Sequence, residues 1–244
     1  MKKSKLWITP FLFLLIIATT SCNIRTLRGD GNVVSRDISI SSYNEIQIQG
    51  SNIDLNYTQS NDAPSLKIEC DQNILEALRT EVIDGELIIR PKNRQEQIAP
   101  TRFVITTNSS ALKEFKMAGS GNSHLTGSIQ GDEMKLELAG SGTITVDSLL
   151  VDKLNCEIAG SGDIILYGKS NHTDAEMAGS CKLKAFDLQT ESLNAKMAGS
   201  NNIEITVNKE ISVKIAGSGN VRYKGNADVI KQKIAGSGSI SKVE

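Results

Sequence analysis

From residue 115 onward, short strand-like triplets recur immediately before the tripeptide Ala-Gly-Ser. They are Phe115-Lys116-Met117, Leu136-Glu137-Leu138, Cys156-Glu157-Ile158, Ala175-Glu176-Met177, Ala195-Lys196-Met197, Val213-Lys214-Ile215 and Gln232-Lys233-Ile234. In six of the seven, apolar residues flank a charged one, which is the two-residue period of a half-buried strand with its charge toward water. The tripeptides begin at Ala118, Ala139, Ala159, Ala178, Ala198, Ala216 and Ala235, at intervals of 21, 20, 19, 20, 18 and 19 residues. So steady a period marks a repeat architecture rather than a linker. A second alternating run follows each corner, as at residues 143–146, 163–166 and 202–205, and a third, less regular run such as 149–151 precedes the next triplet.

Two or three short strands in about twenty residues, punctuated by glycine, predict an all-β fold: a parallel β-helix or solenoid with coils of about 20 residues. One coil cannot bury its own inward face, whereas coils stacked about 4.8 Å apart pair every strand with its copies above and below. Seven coils make a column on the order of 34 Å long. A helix is excluded because glycine recurs too often and β-branched residues dominate.

Gly119, Gly140, Gly160, Gly179, Gly199, Gly217 and Gly236 are the expected structural corners. Alanine is small enough for a tight bend, and glycine takes positive φ without penalty. Cys181 and Asn201 replace the second glycine of two corners. Asparagine tolerates the left-handed conformation, whereas Cys181 predicts a locally different turn. Cys156, at an inward position, reads as a buried small hydrophobe.

Residues 38–115 are strand-rich but lack this motif. Residues 45–49 and 52–57 alternate around Gly50-Ser51, residues 86–90 form a strand ended by Pro91, and residues 73–78 suggest one short helical turn. This part is expected to supply irregular first coils that also cap the solenoid, with the regular repeat spanning 116–244.

At the amino end, Lys2, Lys3 and Lys5 precede an apolar stretch from Leu6 to Ala18, the charge placement of a secretory signal and too short to span a bilayer comfortably. The run Ala18-Thr19-Thr20-Ser21-Cys22 resembles a bacterial lipobox, which implies a signal peptide at 1–21 and acylation of Cys22. Thr19 stands where that pattern has leucine, so ordinary signal-peptidase cleavage near Ser21 and an uncleaved anchor remain alternatives. Residues 22–37 have no hydrophobic period and read as a tether. Removing residues 1–21 takes 3 of 27 basic residues and none of 28 acidic ones, so the net charge moves from −1 to −4. A mildly acidic chain without a basic block is a poor nucleic-acid binder. With Cys22 assigned to lipid, Cys70, Cys156 and Cys181 form neither a disulfide framework nor a zinc pattern; one pairing among them stays open.

The signal-like start, the strand pair around Gly50, the turn-strand Asp84-Gly85-Glu86-Leu87 and the stacked Ala-Gly-Ser-Gly corners together resemble the "putative auto-transporter adhesin, head GIN domain" family over roughly residues 38–235. That resemblance implies a right-handed β-helix in secreted or lipid-anchored bacterial proteins, mostly of Bacteroidota, and brings no catalytic residues. It implies a cell-envelope location, lipid-anchored at the outer membrane. The absence of the acidic cluster typical of surface-exported lipoproteins of that phylum favours the periplasmic face over the surface. Asp147-Ser148-Leu149 also resembles the O-glycosylation acceptor of that phylum, with Ser148 as the acceptor.

Two files of side chains are the candidate binding ladders. Ser120, Ser141, Ser161, Ser180, Ser200, Ser218 and Ser237 offer hydroxyls to a glycan, although such serines more often satisfy turn backbone groups. Lys116, Glu137, Glu157, Glu176, Lys196, Lys214 and Lys233 form a charged file, either a solvated face or a bipolar face that docks a charged partner. No catalytic set emerges: His124 and His172 have no consistent Ser or Asp partner spacing, and nothing selects a carboxylate pair. The calcium nonapeptide is absent, so no metal and no cofactor are expected. Non-catalytic adhesion to a glycan or an envelope or host protein is the leading function. An envelope scaffold binding a partner of the same cell comes second, and a β-helical polysaccharide-degrading enzyme a distant third. Scarcity of aromatic residues counts against a deep sugar cleft. The chain end supplies little cap, which allows a homo-oligomer through the last coil.

Overall fold

The computed structural model describes residues 25–243; the signal-like segment and Cys22 lie outside them. The structure is 76% strand and 3% helix, and its stacked coils form a β-solenoid of about six turns. The amino-terminal part contains β1 (Arg25–Arg28), β2 (Val33–Ile38), β3 (Glu45–Gln59), β4 (Ser65–Asp71), α1 (Gln72–Ala77), β5 (Leu78–Ile83), β6 (Glu86–Pro91), β7 (Glu96–Ala99) and β8 (Phe103–Ser109). The repeat comprises β9 (Glu114–Thr126), β10 (Ile129–Gly140), β11 (Thr143–Gly160), β12 (Asp163–Gly179), β13 (Lys182–Gly199), β14 (Asn202–Gly217), β15 (Asn220–Lys224), β16 (Asp228–Gly236) and β17 (Ser239–Lys242).

Parallel pairing runs through the repeat with register shifts between corners, and at the corners its register is that of the sequence period. Gly119 pairs with Gly140, Gly140 with Gly160, Gly160 with Gly179, Gly179 with Gly199, Gly199 with Gly217 and Gly217 with Gly236. Gly50 of β3 pairs with Gly119 and extends this column by one coil. Inward side chains stack in files, such as Ile48, Met117, Leu138, Ile158, Met177, Met197 and Ile215, all nearly or wholly buried. Burial of such files is the main favourable contribution, at roughly 1.5–3 kcal/mol per large apolar side chain.

The corner glycines meet two constraints at once. Each of the seven has φ between 104° and 135°, a left-handed conformation costly for residues with a Cβ. A Cβ there would also stand 1.7–2.4 Å from the carbonyl oxygen of the glycine one coil below. The second corner position differs from expectation. Neither Cys181 nor Asn201 is left-handed; both side chains are buried and face the coil below. Asn201 Nδ2 donates to the Met177 and Ala198 carbonyls at 3.3 and 2.8 Å, while its Oδ1 accepts from the Cys181 N–H at 3.0 Å. The Cys181 thiol faces the carbonyls of Ile158, Gly160 and Ala178, and pairing resumes in register at Lys182. The turn at Cys181 is therefore the common turn with a larger plug.

The amino-terminal end closes the column with antiparallel pairings, β4 with β2 and β8, and β5 with β6. The short helix falls at residues 72–77. From Arg25 onward the expected tether is part of the fold. β1 pairs in parallel with β7, and the loop from β1 to β2 is pinned by Asp71. The buried Asp71 carboxylate accepts from the Gly31 N–H at 2.9 Å, the Thr101 N–H at 2.7 Å and the Thr101 hydroxyl at 2.6 Å. Local composition gave no apolar period because these residues are held by pairing with the remote β7, by Leu27 packed on the core and by the remote Asp71 carboxylate.

Candidate functional site

The outward residues of the triplets and their corner alanines line one groove. Its volume is about 710 Å³, and it runs along the repeat from Gln47 to Ala235. Its floor is the alanine file, Ala118 to Ala235, set over the buried Met and Ile file beneath. One side is the predicted charged file, brought into strict alignment by the strand register: Lys116, Glu137, Glu157, Glu176, Lys196, Lys214, Lys233, with Gln47 at its head. Among the described residues no aromatic side chain lines the groove. A smaller cavity of about 400 Å³ follows at the amino end, where β7 and Thr26 of β1 approach Gly50 and Ser51.

Like charges stack as expected, and neighbouring side chains relieve part of the repulsion. Lys135, two residues before Glu137 on the same outward face, bonds Glu137 and lies 3.1 Å from Glu157. Its ammonium is held above the usual lysine range by the Glu137 bond, which with Glu157 outweighs the opposing effect of burial. Lys196 bonds Glu176 at 2.6 Å, and that bond raises its pKa. For Lys116, burial lowers the pKa, but Glu114 at 2.7 Å, Glu86 and Glu137 outweigh it. Among the described residues Lys214 and Lys233 have no ion pair, so the carboxyl end of the file keeps free positive charge.

The serines also align, but their hydroxyls are not used by the turns. From Ser141 to Ser237 the backbone N–H of the corner serine donates to the glycine carbonyl one coil below, at 2.8–3.0 Å. The hydroxyl of Ser120 accepts a long bond from the Asn52 N–H, while those of Ser141, Ser161, Ser180, Ser200, Ser218 and Ser237 project to solvent without a partner among the described residues.

His124 Nε2 lies 2.7 Å from Asp147 Oδ1, and His172 Nδ1 lies 2.8 Å from the Ser192 hydroxyl. These two half-constellations sit on different coils, and in neither does the structure add the third group that a nucleophilic relay needs. Cys70, Cys156 and Cys181 are all free and buried. Burial pushes the Cys156 thiol up to about 12 and that of Cys70 to about 11, the reverse of nucleophile activation. Among the described residues no group of three or more His, Cys, Asp or Glu is placed to hold a metal ion, and no helix is long and apolar enough to cross a membrane.

Sequence reasoning placed residues 45–57 among irregular first coils but did not put Gln47 and Gly50 in register with the files of the repeat. Gln47 and Gly50 continue the charged and glycine files, although Gln49 replaces the corner alanine and 69 residues separate Gly50 from its partner Gly119. The alternation Ile46-Gln47-Ile48 before Gly50-Ser51 was the available signal.

A β-solenoid whose repeat presents a lengthwise charged groove is thus the class that fold and site define. The sequence matches the "putative auto-transporter adhesin, head GIN domain" family over residues 42–227, and the chain belongs to it. It is similar to a solved structure described as a "putative lipid binding protein" from Parabacteroides distasonis, with 33% identity and a TM-score of 0.74 over 90% of this chain and 100% of that one. A "putative adhesin" from Parabacteroides merdae shares 28% identity at a TM-score of 0.70, over 90% and 100% of the two chains. Another from Bacteroides fragilis has the same fold, with a TM-score of 0.80 at 24% identity over 89% and 100%. A search of curated proteins gives no match.

Proposed function

We propose that this chain is a non-catalytic attachment protein of the cell envelope that binds a protein partner along its lengthwise groove. The observation that carries this reading is the groove itself: about 710 Å³, floored by small alanines and edged by an unbroken file of charged side chains. A flat apolar strip beside fixed charges suits a polypeptide surface. The absence of aromatic platforms makes it a poor sugar cleft. The unengaged serine hydroxyls offer a glycan only weak, repeated contacts. Acylation of Cys22 would tether the domain to the outer membrane, with the first strand beginning three residues later.

The test is binding of the exported domain, residues 22–244, presented singly and as a multimer, to matrix-protein and glycan arrays. Binding to protein spots that is lost on reversing Lys196, Lys214 and Lys233 together supports the reading; binding to glycans alone overturns the choice of partner. A second reading, an acyl chain seated on the alanine floor, draws on that apolar floor and on the description carried by the Parabacteroides distasonis relative. Displacement of a fluorescent fatty acid would show it.

A further inference from the structure

Along the groove the charges fall in two blocks of three: Glu137, Glu157 and Glu176, then Lys196, Lys214 and Lys233. This order is self-complementary. Consider a two-fold axis lying in the groove face, parallel to the strands, between the coils of Glu176 and Lys196. It reverses the solenoid direction while superposing the file on its own line. Glu176 then faces Lys196 of the second copy, Glu157 faces Lys214 and Glu137 faces Lys233, and each contact occurs twice. Because coil spacing is uniform, all six contacts form together, and the two alanine floors meet beside them.

From this geometry we propose that the groove's partner is a second copy of the same chain, docked face to face and antiparallel. The inference rests on the groove being the binding face, and it names the occupant. Lys214 and Lys233 have no ion pair within their own chain among the described residues, so the second copy's Glu157 and Glu137, which there share Lys135, supply carboxylates for charges that the monomer leaves open. Alanine suits the floor because two facing sheets with small side chains approach without interlocking. A groove-face pair reverses one copy relative to the other, so the two amino-terminal strands leave from opposite ends of the column. That arrangement suits copies carried on two facing surfaces. It also differs from association through the last coil, where the inward position holds the polar Gln232 between Lys231 and Lys233.

The size of the contact sets its strength. Six coils by three residues cover on the order of 300 Å² per copy, or roughly 600 Å² in total, below the ~1,200 Å² of a stable complex. The pair is therefore weak and salt-sensitive in solution and gains from many copies on one surface.

Sedimentation equilibrium on residues 22–244, which contain the whole buried core, tests this. In about 0.05 M salt the mean mass should rise with protein concentration toward twice the chain mass, and in about 0.5 M salt it should return to one chain. The triple variants Lys196→Glu/Lys214→Glu/Lys233→Glu and Glu137→Lys/Glu157→Lys/Glu176→Lys should each be monomeric. Their equimolar mixture should pair, because an all-acidic face then meets an all-basic one. Where stacking six acidic or, with Lys116, seven basic side chains unfolds either triple variant by circular dichroism, Lys214→Gln with Lys233→Gln serves instead, and it should weaken the pair by at least about tenfold. A single-chain mass in low salt at millimolar protein overturns the proposal, as does a dimer indifferent to these changes. Array binding that depends on the same lysines in a chain that stays monomeric would leave the groove as the binding face and remove only self-pairing.

Discussion

Gly140 sits directly on Gly119, so close that a Cβ on Gly140 would stand 1.9 Å from the Gly119 carbonyl oxygen. The same relation recurs along the column, and it explains why the repeat tolerates varied residues between corners yet keeps one glycine in every coil.

Replacing Gly160 or Gly179 with alanine therefore combines a forbidden backbone conformation with a backbone collision that no rotamer relieves. Each is expected to lower unfolding stability by about 2–4 kcal/mol in chemical denaturation. Gly131→Ala is the control: it has no positive φ and its nearest neighbour would be 3.9 Å away, so its effect should stay within about 0.5 kcal/mol. Equal effects at Gly131 and Gly160 would defeat the argument.

How much of this was legible in the sequence depended on periodicity. The corner period carried the register of the seven corners, and through it the alignment of the charged and serine files, because parallel stacking leaves only one way to superpose Gly on Gly. Residues 25–31 were illegible. They are fixed by pairing with Glu96–Ala99 and by Asp71, which lies 40 positions from Gly31, and nothing local announces either contact. The inward plugs Cys181 and Asn201 were misread because sequence alone does not say that, Gly121 excepted, the second glycine of a corner leaves room rather than taking positive φ.

Asp71 gives a pH-dependent prediction. Burial alone would raise its pKa, but the hydroxyl and N–H of Thr101 and the N–H of Gly31 outweigh that, and the carboxyl is held below its ordinary value. A depressed folded-state pKa contributes stability above the unfolded carboxylate value near ~3.9 and loses it as pH falls through the folded value. Asp71→Ala should abolish this acid-side contribution. It should also speed amide exchange at Gly31 and Thr101 at neutral pH, with a stability loss of about 1–3 kcal/mol. Exchange at both amides as slow as in the parent chain would show that the loop at Gly31 is held by something other than Asp71.

The three buried thiols predict chemical silence. With Cys156 pushed up to about 12 and Cys70 to about 11 by burial, and Cys181 raised by the same cause, thiolate is scarce at pH 8. Maleimide labelling of the folded domain should leave all three unmodified within the time that modifies them fully in denaturant, as read by intact mass. Rapid native labelling of Cys181, which lies at a corner, would mean that the solenoid opens there.

Asn201 offers the sharpest test of the plugged corners. Its amide is used at both ends, Nδ2 toward two carbonyl oxygens and Oδ1 toward the Cys181 N–H. Asn201→Asp keeps the shape but turns the donating end into an acceptor facing the Met177 and Ala198 carbonyls, in a site shut off from water. A loss of about 3–5 kcal/mol is expected at neutral pH, easing in acid as the new carboxyl protonates and regains one donor. Asn201→Gly, which restores the corner used by most other coils, should cost less, about 1–3 kcal/mol for the lost bonds. If the aspartate variant proved no less stable than the glycine variant at neutral pH, water would have to reach the corner, and the close stacking of the Cys181 and Asn201 coils would not hold in solution.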